Sequence, residues 1–159
     1  MKRVSVELWR FTAVCINGHE FCFHRFSDFH YGDLTIRTAN QSELALVETD
    51  DPVFNEVGSI IDELLVAAWG NKNRSDWCFD QVFPIVCDPA PSGLRYSFAE
   101  EVRCPVCNST HLVRYGPGEP PQVDTVELPV VTYNAWQQLS YEEKRGRLRD
   151  ALRKAGCLP

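Results

Sequence analysis

Two short stretches constrain this chain more than any other: CINGHEFC at residues 15–22 and CPVCNSTH at residues 104–111. Each places cysteine and histidine at spacings that let two side chains reach one ion from a tight turn. Residues 23–103 lie between them. If both turns close on one metal, the N-terminal segment must lie against a segment that arrives late in the chain. Closing so long a loop also removes entropy from the unfolded chain.

The later half is the more regular. In CPVC, two intervening residues let Cys104 and Cys107 face one ion, and Pro105 stiffens the turn. Asn108 tolerates the left-handed backbone that such a turn needs after its second cysteine. A C-x-x-C pair can instead be redox-active, in the setting of a β-α-β unit; this one sits between strand-like segments. The earlier half offers Cys15 and His19, with Gly18 supplying the turn. Cys22 and His111 compete for the fourth ligand position.

Over residues 12–23 and 101–115 the layout resembles the zinc-ribbon class with its rubredoxin-like knuckles. There a C-x-x-(C)-G-H-x-F hairpin faces a later C-P-x-C. The matching residues are Cys15, Gly18, His19, Phe21, Cys104, Pro105 and Cys107. The resemblance implies a zinc ion held by Cys15, His19, Cys104 and Cys107. His19 then replaces the cysteine that would directly precede Gly18. Four protein ligands leave no place for water, so the expected ion is structural and the protein is not expected to be an enzyme.

The rest of the chain reads as α+β: an antiparallel sheet, one long helix packed on it, the split ribbon and a C-terminal helix. Val4, Val6 and Leu8 alternate with Ser5, Glu7 and Trp9, and residues 20–26 alternate likewise, so the first ligands sit in a hairpin turn. Residues 33–38 and 43–48 form a second hairpin. The period then changes. Asp51 caps, Pro52 fits the first helical position, and Val53, Val57, Ile60, Ile61, Leu64, Leu65 and Ala68 share one stripe ending at Gly70. Residues 77–87, 94–102, 111–115 and 123–131 read as extended, with Pro129 marking an edge. Ser140 and Glu143 form a capping box for the last helix. The Pro-rich connector at 116–122 places a boundary there: residues 1–122 form the main domain, and 123–159 form an arm and a basic helix packing on it.

Seven cysteines are an odd number, which suits reduced thiols; Cys78, Cys87 and Cys157 read as buried, reduced and apolar. The N-terminus alternates instead of forming an apolar leader, and no apolar run approaches the ~18 residues of a bilayer span. The expected location is cytoplasmic, with no membrane partner.

The net charge is −6. Acidic residues crowd 38–90, where only Lys72 and Arg74 oppose them. Such a face attracts a basic protein, with Glu48, Asp50, Asp51, Glu56, Asp62, Glu63 and Trp69 as candidate anchors. An immunity or inhibitor protein masking a basic toxin is one concrete form. A weaker alternative is nucleic-acid association through Lys144, Arg145, Arg147, Arg149, Arg153 and Lys154. A third is a metal hydrolase around His24, Asp28, His30 and Asp33.

Overall fold

The computed structural model describes residues 1–26, 33–38, 43–98 and 102–159. The fold is α+β, with antiparallel sheets and, among the described residues, four α-helices. The chain forms two compact units, each built from two segments. Unit 1 combines Met1–Val47 with Ala99–Val130, and unit 2 combines Glu48–Phe98 with Val131–Pro159. These boundaries differ from the division at the Pro-rich connector, because that connector is looped out of a strand pairing that continues past it.

Unit 1 is organised by β1 (Arg3–Cys15). On one edge it pairs antiparallel with β2 (Glu20–Phe26), from Leu8↔Phe26 to Val14↔Glu20. On the other edge it pairs with β6 (Leu112–Gly116) through Thr12↔Gly116, and with β7 (Gln122–Pro129) from Arg10↔Gln122 to Arg3↔Pro129. Consecutive ladders of one direction on one edge make β6 and β7 a single interrupted strand. The β3 (Asp33–Thr38) and β4 (Leu44–Glu48) pair lies in the second sheet.

The period-two pattern puts Val6, Leu8, Leu128 and Val130 into one buried cluster with Leu46 of β4. Each such side chain contributes roughly 1.5–3 kcal/mol when removed from water. The opposite face carries Phe11 stacked on Phe23 at 5.3 Å, with the Arg25 guanidinium over both rings.

Unit 2 is helical. α1 (Pro52–Trp69) starts where the Asp51 side chain accepts from Val53 N, and ends at Gly70 with φ 75°. Val53, Val57, Ile60, Ile61, Leu64 and Leu65 are buried as the pattern requires, while Ala68 is exposed. Residues 77–87 are not extended. They form most of α2 (Ser75–Val82) and a 3-10 turn over Phe83–Ile85. Their aromatic and β-branched content favours strand intrinsically, but tertiary packing overrides it. Phe79 and Phe83, four apart, stack on each other at 4.9 Å and meet the Phe54 edge at 4.8 and 5.2 Å. The strand expected over 94–102 is only β5 (Tyr96–Ser97) among the described residues. A short α3 (Asn134–Gln137) precedes α4 (Tyr141–Lys154), whose capping box is formed and whose Leu148 and Leu152 are buried.

Cys78 and Cys157 correct the expectation of reduced thiols: they form a disulfide, with Cα atoms 6.1 Å apart. Helix α2 turns Cys78 inward and the Gly156 turn brings Cys157 back to meet it, neither of which their isolated sequence positions reveal. Cys87 is buried and free, as expected. The bond also fixes Trp69, whose indole N–H donates to the Cys157 carbonyl at 2.8 Å.

The bridge spans a sequence separation of 79. On the loop-entropy relation, Cys78→Ser costs unit 2 about 4 kcal/mol. Urea unfolding followed by α-helical circular dichroism should show this loss, and dithiothreitol should reproduce it in the wild type but add nothing to the variant.

Candidate metal centre

The site lies at the end of β1. Cys15 closes the strand, and a register shift between Val14 and Cys15 re-aims its side chain, as bulges do. The CINGH turn then folds tightly: Gly18 N donates to Cys15 O at 2.9 Å and Cys15 N to His19 O at 3.1 Å. Gly18 has φ 83°, a conformation a side chain would strain. The second turn repeats the device. Asn108 N donates to Cys104 O at 2.8 Å, Cys104 N to Ser109 O at 2.9 Å, and Asn108 takes φ 60°. A further bond, Ile16 N to His111 O at 2.9 Å, ties the two turns together.

Cys15, His19, Cys104 and Cys107 present donor atoms that all lie within 4.8 Å of one another. Cys15 Sγ is 3.7 Å from Cys107 Sγ and 3.5 Å from His19 Nδ1. A tetrahedral ion with bonds of about 2.3 Å to sulfur and 2.0 Å to nitrogen needs edges of about 3.8 and 3.5 Å. The two edges therefore match tetrahedral coordination, and the four residues can hold a metal ion. Cys22 is exposed on β2 and His111 is exposed; neither belongs to the cluster. His111 contributes its carbonyl instead of its ring.

Asn17, directly before Gly18, was not singled out by its sequence. Its carboxamide donates to Cys107 Sγ at 3.3 Å. It thus supports a candidate ligand without being one, as outer-shell partners do. That bond is the main reason the Cys107 thiol is lowered to about 6, aided by the Ser109 backbone. Burial pushes Cys15 up, but the His19 and Asn17 backbone outweighs it and the net shift is downward. At Cys104 burial prevails over the backbone bonds and the shift is upward. Cys107 and Cys15 together raise His19. The Cys107 and His19 shifts both run in the direction of a thiolate beside an imidazolium.

Among the described residues, His24 belongs to no metal-capable cluster. Its Nε2 meets Asp124 Oδ2 at 2.7 Å, while Arg10 grips the same carboxylate at 2.7 and 2.9 Å. His24 and Arg10 hold Asp124 below the usual carboxylate range. Asp124 shares strand parity with the apolar Val126 and Leu128, and Arg10 shares it with Leu8. A charge in an apolar column was the available signal that a partner lay opposite. Asp28 and His30 lie outside the described residues, as does the Asp33 side chain.

The expected acidic anchors are largely engaged within unit 2. Asp51 caps α1. Glu56 accepts from Trp136 Nε1 at 2.9 Å and Lys144 at 2.8 Å. Asp62 takes Lys72 at 3.2 Å and the Ser75 hydroxyl. Glu63 takes Tyr141 at 2.7 Å and Arg145 at 3.1 Å. Glu48 is half-buried at the end of β4, Asp50 is exposed, and Trp69 is 53% exposed. Lys144 and Arg145, expected in a basic stripe, thus face acidic partners on α1. No described helix is long and apolar enough to cross a membrane.

Comparison with known protein families, characterised proteins and solved structures gives no match.

Metal loading requires His19 to lose its proton and the thiols to ionise, so protons compete with metal. Affinity should fall as pH drops through the raised His19 value and toward the Cys107 value of about 6. Competition with a pH-insensitive chelator, read from pH 5 to 8, should give a monotonic rise. In the same assay Cys22→Ser and His111→Ala should leave stoichiometry unchanged, and Cys104→Ser should lower affinity at least a hundredfold.

Proposed function

We propose that this is a non-enzymatic binding protein whose unit 1 is locked by a structural zinc ion in a split zinc ribbon. The carrying observation is the donor set: three cysteines and one histidine offer four ligand atoms within 4.8 Å of one another. Thiolate-rich tetrahedral sites suit zinc among the common divalent ions. With no position left for water, the ion polarises no substrate. Its role is to hold the Cys15 turn to the Cys104 turn, and its binding energy adds to folding.

Binding is supported by unit 2. Trp69 and Trp77 are 53% and 47% exposed, and both flank the disulfide: Trp69 bonds Cys157, and Trp77 adjoins Cys78. Tryptophans recur among residues that dominate interfaces. Asp50 and Asp76 are exposed and form no ion pair among the described residues, which favours a basic protein partner. The internal pairing of Glu56, Asp62 and Glu63 removes charge that a toxin-masking role would use, so the proposal stops at a binding protein. Nucleic-acid association is weaker still, since Lys144 and Arg145 are already paired.

Cobalt substitution tests the structural role. A closed tetrahedral site should give intense visible bands that do not change when azide or cyanide is added. A spectral change with added ligand would reveal an open position and overturn the reading. Metal analysis of protein purified without chelator should give one zinc per chain, lost in the Cys104→Ser, Cys107→Ser double variant together with the near-ultraviolet signal of the β1–β2 aromatics.

A further inference from the structure

Unit 2 contains a cavity of about 100 Å³ that the metal-centred reading does not use. Its wall includes Cys87, Asp88, Pro89, Trp136, Arg95 and Arg147. Most polar groups there are already satisfied. Asp88 accepts from Thr132 Oγ1 at 2.7 Å, from Asn134 N and Nδ2 at 2.8 and 2.9 Å, and from Ala135 N at 3.1 Å. Burial acts to raise its carboxyl, yet these donors carry the net shift downward and keep it ionised. The Trp136 indole N–H is directed to Glu56. Burial pushes the Cys87 thiol up to about 12, so it carries no charge at neutral pH.

The two arginines differ from the rest of this wall. Both are exposed, and neither has a hydrogen bond or ion pair among the described residues. Glu143, one turn before Arg147, has its carboxylate bonded to Ser140 N and acts on Arg147 only through space. The cavity wall thus carries Arg95 and Arg147 beside one saturated carboxylate, with Glu143 the further acidic group that acts on Arg147. Guanidinium forks match the oxygens of carboxylates and phosphates, and such bonds are stronger than neutral ones. A space this small suits a small oxyanion better than a drug-sized ligand, whose pockets run to about 300–1,000 Å³.

We propose that this cavity is an oxyanion site in which Arg95 and Arg147 clamp one carboxylate or phosphate group. The two residues come from the two separate chain segments of unit 2. A bound anion would therefore bridge those segments and stabilise the unit.

The test is an NMR titration of the full-length protein, following the arginine Nε–H signals at constant ionic strength. Sodium acetate and inorganic phosphate are the probes, and chloride balances the salt. The expected result is a saturable shift at Arg95 and Arg147 with at least one probe, at a concentration at least tenfold below any chloride effect. Arg95→Gln and Arg147→Gln should each weaken it at least fivefold while keeping the anion-free thermal midpoint, since both side chains are exposed. Tighter acetate binding identifies a carboxylate as the natural group, and tighter phosphate binding a phosphate. Shifts that fail to saturate, that chloride reproduces, or that survive both substitutions would overturn the site.

Discussion

The central constraint in unit 1 is that β1 is paired along both edges. Its 13 residues hold β2 on one side and the β6–β7 strand on the other. Nearly every later feature of the unit takes its position from that ladder. The buried column of Val6 and Leu8 meets Leu128 because the register sets Val4 against it and Val6 against Val126. Arg10 reaches Asp124 diagonally across the same register. Cys15 ends the strand beside Leu112, so the second cysteine turn has to arrive there as well. The Cys/His cluster follows from strand pairing, and a bound ion would fasten an arrangement that the backbone already specifies.

Much of this was legible in the residues. Alternation marked β1 and β2, because one face of each is buried and period two has no helical reading. Asp51, Pro52 and Gly70 delimited α1, since each meets a backbone requirement specific to a helix end. Cys15, His19, Cys104 and Cys107 were identifiable because metal chemistry restricts ligand types and spacing so tightly. The failures share a different cause. Residues 77–87 have strand-like composition, and only the stacking of Phe54, Phe79 and Phe83 decides for a helix. Cys78 and Cys157 gave no signal because disulfide partners need proximity, and proximity is a property of the folded chain.

The acidic stretch teaches a related lesson about charge. Read along the sequence, residues 38–90 are a surplus looking for an external cation. In the folded unit, Glu56 and Glu63 face Lys144 and Arg145, so the basic C-terminal helix serves as their partner. The Arg145–Glu63 pair, with Glu63 exposed, contributes at most about 1 kcal/mol, since solvent screens it, whereas Lys144–Glu56 is more enclosed. Their larger effect is on the surface, where they remove a simple negative patch and leave two indoles as the prominent features beside the disulfide.

The interleaving of the two units bears on how the molecule is made. Strand β1 leaves the ribosome before its partners at 112–129, which come only after the first segment of unit 2 has been synthesised. At typical elongation rates that delay is on the order of ten seconds. Throughout it, one edge of a 13-residue strand carries unpaired amides and carbonyls beside apolar side chains. Such an edge invites association with other nascent chains, and holding it apart is a task for chaperones or for rapid hairpin formation with β2.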